Sequence, residues 1–102
     1  MKKINNQGKV AVLYSPGFGA GWYSWNTENP NILFDPNIVE FVEKGEIEKC
    51  KAYVELKYPE IYTGGLEDLR IAWITEGTLF RIHEYDGNES IEVKEEMDWL
   101  IA

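Results

Sequence analysis

The sequence predicts a single α+β domain spanning residues 1–102, with an N-terminal strand, two short helices and a C-terminal antiparallel β-meander. The length of 102 residues and the hydrophobic content of 44% suffice for one core without disulfides. In the middle of the chain apolar residues recur at helical spacing, whereas in the last third they alternate with polar residues. We therefore expect a single layer of helices packed on the sheet.

The first strand is predicted at Lys9–Tyr14, a short run of apolar and β-branched residues. It ends at Ser15, Pro16 and Gly17, which are typical of a turn. We expect this strand to be buried. The sequence leaves open whether it pairs with the meander.

Two helices are predicted next, and residues typical of helix starts and helix ends mark their limits. Asp35 followed by Pro36 predicts a helix start, and Lys44 followed by Gly45 predicts its end. A second helix is expected from Glu46 to about Lys57, because apolar residues recur there on one face and a proline follows shortly afterwards.

The C-terminal third is predicted to form the meander. Apolar residues alternate with their neighbours from Leu69 to Ile74, and further strands are expected at Leu79–Tyr85 and Ser90–Val93. The dipeptides Glu76-Gly77 and Asp86-Gly87 supply two-residue turns between these strands.

These turns determine which residues lie opposite each other in the predicted meander. A shift by one residue would put Arg81 and Glu92 into the core, which favours the alignment with apolar pairs. Residues 97–101 are expected to add a short edge strand or to pack on the sheet. The expected apolar pairs are Trp73 with Phe80, Ile71 with Ile82, Ile82 with Ile91, and Phe80 with Val93.

The formal charge of −8, from 18 acidic and 10 basic residues, narrows the range of partners. An acidic surface repels phosphodiester backbones and anionic lipid heads, so we expect no direct nucleic-acid polymer binding and no membrane binding. The lysines near the N-terminus are followed by polar residues rather than by the apolar core of a signal peptide. With a single cysteine and therefore no internal disulfide, we expect a cytoplasmic protein.

Residues Ser15–Asn26 form a glycine-rich segment that also contains four aromatic residues. It differs from the dinucleotide-binding fingerprint, because Trp22 stands where the third glycine is required. It also lacks the Gly-Lys-Ser/Thr sequence of a phosphate-binding P-loop. Its glycines favour positive φ and exposed N–H groups that bind an anion, and its rings offer flat faces for stacking. These features predict a site for a planar, phosphorylated ligand.

An alternative explanation is that Trp22 and Trp25 close one end of the core, while the glycines let the chain turn beneath them. The second glycine turn, Tyr62–Gly65, approaches the segment if the first strand pairs with the meander, and Thr63 and Asp68 would then contact the ligand. Otherwise this turn is a connector between helix and strand. The predicted ligand-binding residues of the glycine-rich segment are Ser15, Gly17, Phe18, Gly19, Gly21, Trp22, Trp25 and Asn26.

A second group of predicted ligand-binding residues consists of Arg70, Arg81 and His83. They share the outer face of the predicted meander, where Arg70 lies opposite His83. Guanidinium groups offer paired donors that suit a phosphate or a carboxylate. The alternative is a solvent-exposed cross-strand ion pair between Arg81 and Glu92.

Signals for catalysis are scarce in this sequence. His83 has no partner nearby in the chain, and Cys50 lies on the apolar face of a predicted helix. A single histidine and a single cysteine do not define a metal site. We therefore predict no catalytic residue, no metal and no cofactor, and we favour a binding protein over an enzyme.

The stretch Val12–Asn26 contains the sequence Ser-Pro-Gly-Phe-Gly-Ala-Gly-Trp-x-x-Trp-Asn, and it is followed by Leu33–Pro36, Tyr62–Gly65, Phe80–Ile82 and Glu84–Ile91. Together these stretches resemble an uncharacterised family of small proteins carried by bacteriophages, prophages and plasmids. The resemblance covers nearly the whole chain and implies a mobile-element origin, without an activity. Small phage proteins of this kind often inhibit host defence, by sequestering a nucleotide signal or by covering a host protein.

Three functions follow as hypotheses. The first is a non-enzymatic binding protein that sequesters a small phosphorylated, nucleotide-like ligand as an anti-defence protein, and a homo-oligomer would deepen the shallow pocket of so short a chain. The second is an acidic interaction module that inhibits a host protein, with Trp99 as an aromatic anchor. Its acidic residues would be Glu89, Glu92, Glu95, Glu96 and Asp98. The third is a small hydrolase or transferase.

Overall fold

The computed structural model describes residues 1–17 and 21–94. It confirms the predicted α+β fold, with strands near the N-terminus, two helices in the middle and an antiparallel hairpin on the C-terminal side. The edge strand or packing segment predicted at residues 97–101 lies outside the described residues. Among the described helices, none is long and apolar enough to cross a membrane.

A three-stranded antiparallel sheet lies at the centre of the molecule. It is formed by β1 (Asn5–Asn6), β2 (Lys9–Tyr14) and β3 (Arg70–Thr75), with β2 in the middle. Ala11 and Leu13 of β2 contribute to one apolar cluster and Val12, between them, contributes to a second. Because successive side chains of a strand point to opposite faces, β2 is covered on both sides, as its unbroken apolar run requires.

The two predicted helices are confirmed as α1 (Pro36–Lys44) and α2 (Ile47–Lys57). They pack against the face of the sheet that carries Ala11 and Leu13. Gly45 ends α1 with a φ of 69°, a left-handed conformation that glycine adopts without steric cost. Three short 3₁₀ helices also occur among the described residues, at Tyr23–Trp25, Pro30–Leu33 and Leu66–Asp68.

A β-hairpin covers the opposite face of the sheet. Its strands are β4 (Phe80–Tyr85) and β5 (Asn88–Val93), and their alignment is the predicted one, with Ile82 opposite Ile91. Asp86 and Gly87 at the turn have φ angles of 51° and 83°, as expected for a tight two-residue hairpin loop. The apolar side of the hairpin packs on the cluster that contains Val12.

The predicted pairing of β3 with β4 is wrong, because β3 pairs with β2 instead. Trp73 therefore lies opposite Ala11 rather than opposite Phe80. After β3 the chain turns away from the sheet, and the N–H of Glu76 donates to the carbonyl of Gly8 at 2.8 Å. A central position for β2 buries both of its apolar faces, which a flat three-stranded meander beside it would not do.

The predicted pairing of Arg70 with His83 fails for the same reason. Arg70 lies opposite Tyr14 in the central sheet, whereas His83 lies opposite Ser90 in the hairpin. The two residues thus belong to different sheets.

Asp35 connects the two helices. Its carboxylate is fully buried, caps α1 by accepting from the N–H of Asn37 at 2.9 Å, and accepts from the phenols of Tyr53 and Tyr58 at 2.7 and 2.6 Å. The ammonium of Lys57 lies 3.5 Å away. Since Asp35 precedes α1 while its other partners lie in or just after α2, one side chain holds both helices together.

This arrangement predicts a loss of stability at alkaline pH. Burial, followed by the charge of Asp35, raises the pKa of the Cys50 thiol from 9.0 to about 11. Burial, together with the hydrogen bond to Asp35, also raises the pKa of Tyr58 above its ordinary value of 10.0. Above these ordinary values the unfolded chain releases protons that the folded chain retains, so the free energy of unfolding should fall as pH rises beyond about 9.

Urea denaturation at a series of pH values measures this fall. The variant Tyr58→Phe should have a shallower slope above about pH 10, because one of the two groups no longer titrates. A free energy of unfolding that stays constant from neutral pH to beyond pH 10 would contradict the prediction.

Candidate functional site

The carboxylate of Glu89 is the centre of a buried polar cluster between the hairpin and the glycine-rich segment. Glu89 is the second residue of β5 and is 1% exposed. Its Oε1 accepts from the N–H of Ser15 at 2.9 Å, and its Oε2 accepts from the N–H groups of Trp22 and Ser24 at 2.9 and 2.8 Å. The hydroxyl of Ser24 donates to Oε2 at 2.6 Å.

No ion pair between Glu89 and another described residue accompanies these hydrogen bonds. A buried carboxylate without a cation is stable only if donors surround it, and three backbone N–H groups and one hydroxyl do so here. The N–H of Glu89 also donates to the carbonyl of Ser15 at 2.8 Å. The hairpin and the glycine-rich segment are thereby joined through both backbone and side chain.

Two backbone donors of the predicted ligand site are thus engaged within the chain. The N–H groups of Ser15 and Trp22 point to Glu89, and Gly21 between them has a φ of 98°. The ring of Trp25 occupies the space that a Cβ at Gly21 would need. The ligand-binding role of Ser15, Gly21 and Trp22 stays a prediction. A ligand would have to bind these residues without breaking the hydrogen bonds to Glu89.

The two tryptophans of the segment have different roles. Trp22 is fully buried and its indole N–H donates to the carbonyl of Ile32 at 3.0 Å, so it closes one end of the core. Trp25 is 59% exposed and lies beside Tyr62, which is 51% exposed. Their ring centroids are 6.1 Å apart at an angle of 59°. Two aromatic rings therefore stand together at the surface.

Asn26 holds this ring pair in place. Its side-chain amide donates to the carbonyl of Tyr62 at 2.9 Å and accepts from the N–H of Tyr62 at 2.8 Å. The same amide donates to the carbonyl of Trp22 at 2.7 Å. A Cβ at Gly65 would overlap the carbonyl of Gly21, so the two glycine turns touch backbone to backbone. The conditional prediction that they approach each other when β2 pairs with β3 is confirmed.

An open cavity of about 340 Å³ lies beside these turns, where β2 ends and β3 begins. One wall is formed by Pro16 and Gly17 of the glycine-rich segment. Arg70 lines the cavity and forms no ion pair or side-chain hydrogen bond with another described residue. The remaining lining residues are Glu67, Asp68 and Leu69.

The other basic candidates lie elsewhere. Arg81 on β4 binds Glu92 on β5 through two hydrogen bonds of 3.0 and 2.9 Å, as the alternative explanation expected. The bound guanidinium lowers the pKa of Glu92. His83 is exposed on the same strand. Of the three basic candidates, Arg70 is the one beside the glycine-rich segment.

Two predicted ligand-binding residues, Phe18 and Gly19, lie outside the described residues. Two residues of the acidic face predicted by the second hypothesis are not free at the surface, because Glu89 is buried and Glu92 pairs with Arg81. Its other members, Glu95, Glu96, Asp98 and Trp99, lie outside the described residues.

The structure offers little for nucleophilic or metal chemistry in the part of the chain that it describes. A pKa of about 11 keeps the Cys50 thiol protonated near neutral pH, and the side chain is buried. Within residues 1–17 and 21–94, no three His, Cys, Asp or Glu side chains lie close enough to hold a metal ion.

Sequence reasoning treated Tyr62 as part of a connector and missed its place in the ring pair. The signal available was the pair Gly64-Gly65, which begins two positions after Tyr62 and lets the turn approach another backbone closely.

Comparison of the chain with protein-family models, with curated proteins and with solved structures finds no match.

Replacing Glu89 tests the importance of the buried carboxylate. Glu89→Ala would leave two buried N–H groups and one partly buried N–H group without an acceptor, so we expect it to lower the free energy of unfolding by about 3 kcal/mol or more. Urea denaturation followed by tryptophan fluorescence measures this change.

Glu92→Ala is the matched control, because it removes a glutamate from the same strand whose carboxylate pairs with Arg81 at the surface. We expect its stability to stay close to that of the unchanged protein. If Glu89→Ala lowered the free energy of unfolding as little as Glu92→Ala does, the buried cluster would not stabilise the fold.

Proposed function

We propose that this protein is a non-enzymatic binding protein for a small, planar, phosphorylated ligand of the nucleotide type. The ligand would occupy the cavity between the glycine-rich segment and the start of β3. The observation that carries the proposal is the position of Arg70, which has no side-chain partner among the described residues and lines an open cavity next to Pro16 and Gly17 of the glycine-rich segment.

The charge of the chain supports this role for Arg70. With a formal charge of −8, an acidic protein of this kind has carboxylates available to pair with its few arginines. Arg81 has such a partner, whereas Arg70 has none in the described residues. A guanidinium in this position offers paired N–H donors that match two oxygens of a phosphate.

The ring pair supports a planar ligand. Trp25 and Tyr62 are exposed, yet their backbones are held by Asn26 and by the contact between the glycine turns. Rings that are already in place lose little conformational entropy when a base stacks on them. Stacking of one base on an aromatic side chain contributes about 1 to 3 kcal/mol.

The resemblance to phage, prophage and plasmid proteins belongs to the same proposal. A cytoplasmic protein of mobile-element origin that binds a nucleotide without turning it over would act by sequestering a nucleotide signal of a host defence system. A homo-oligomer would add walls to the cavity, which is open in the single chain.

A thermal-shift assay with a panel of nucleotides, including AMP, cyclic AMP and ATP, tests the proposal. At about ten times its dissociation constant, a ligand that binds only the folded state stabilises it by about 1.4 kcal/mol and raises Tm by several degrees. Arg70→Gln should abolish most of the shift, and Trp25→Ala should weaken binding about tenfold or more.

The control variant is Arg81→Gln, because Arg81 is the other arginine of the chain and is bound to Glu92. It should keep the full shift. Absence of a shift with every nucleotide at millimolar concentration, or equal losses in both arginine variants, would overturn the proposal.

A further inference from the structure

Asp68 and Arg70 present opposite charges on one side of the chain. Leu69 between them is extended, with φ and ψ of −60° and 136°, and its side chain is 8% exposed in the core. One residue thus separates Asp68, at the end of a 3₁₀ helix, from Arg70, at the start of β3, and their Cα atoms lie roughly 6 to 7 Å apart. Asp68 and Arg70 are both exposed and line the same cavity.

The two side chains are not neutralised by their surroundings. Neither forms an ion pair or a side-chain hydrogen bond with another described residue, although they are near each other in the sequence. The neighbouring carboxylate, Glu67, differs in this respect, because the ammonium of Lys51 lies 2.6 Å from its Oε1. The cavity therefore offers one free acceptor group and one free donor group a short distance apart.

A ligand that satisfies both groups carries an anion for Arg70 and O–H or N–H donors for Asp68. Among the nucleotide-type ligands proposed above, the ribose hydroxyls are such donors. A phosphate alone would pair with Arg70 but would face the negative charge of Asp68. A nucleoside without phosphate would leave Arg70 unpaired. A ribonucleotide has both parts, because its phosphate and its vicinal hydroxyls lie at opposite ends of one ribose ring.

We propose that Asp68 and Arg70 together recognise the phosphoribose of a ribonucleotide, with the phosphate on Arg70 and the 2′ and 3′ hydroxyls on Asp68. This inference rests on the proposed function and specifies its ligand class. A carboxylate that accepts from two adjacent hydroxyls discriminates strongly against a sugar that lacks them, because it then loses charge-assisted hydrogen bonds without replacement. Each added phosphate is repelled by Asp68 and by the acidic surface, so a monophosphate should bind better than a triphosphate.

The test is isothermal titration of AMP and of 2′,3′-dideoxy-AMP into the unchanged protein, Asp68→Ala and Glu67→Ala. The unchanged protein should bind AMP about tenfold or more tightly than the dideoxy analogue. Asp68→Ala should reduce this preference to about twofold or less. Glu67→Ala removes a carboxylate from the same cavity and should keep the preference. Thermal unfolding confirms that each variant is folded.

The outcomes separate the two proposals. Equal binding of AMP and the dideoxy analogue by the unchanged protein would overturn the role of Asp68 and leave nucleotide binding in place. A hydroxyl preference that persists in Asp68→Ala would also overturn it. Failure of every nucleotide to bind would overturn the proposed function and this inference together.

Discussion

The buried carboxylate of Glu89 connects parts of the chain that are 65 to 74 positions apart. A charge without a cation is tolerated inside a protein only when donors surround it, and backbone N–H groups of the glycine-rich segment supply most of them here. The conformation of this segment and the position of the hairpin therefore depend on each other. If either moved, buried N–H groups or a buried carboxylate would lose their partners.

This dependence also determines which surfaces are left for a ligand. The N–H groups of Ser15, Trp22 and Ser24 are used to bind Glu89. The ring of Trp22 fills the core, and Asn26 holds the second glycine turn. The exposed side chains at this end of the sheet include the rings of Trp25 and Tyr62 and the charged groups of Asp68 and Arg70. The buried Cys50 thiol, with its raised pKa, is unsuited to act as a nucleophile.

The second buried carboxylate, Asp35, acts in the same way on the other side of the central sheet. It accepts from one backbone N–H and two phenols and so joins α1 to the end of α2. On each face of the sheet one buried carboxylate thus joins two segments of a chain that has more acidic than basic residues. The surface charges contribute to solubility, whereas the two buried carboxylates contribute to the fold.

The sequence by itself determined the features that depend on short stretches of chain. The ends of α1 follow from Asp35 and Gly45, and the alignment of β4 with β5, including Arg81 opposite Glu92, follows from the turn at Asp86-Gly87. Tertiary structure alone decided the pairing of β2 with β3, the burial of Glu89, and the separation of Arg70 from His83. The reason is that alternation shows which face of a strand is apolar but not which strand lies beside it. For the same reason Glu89, polar and next to a turn, is indistinguishable in sequence from a surface residue until distant N–H groups are brought around it.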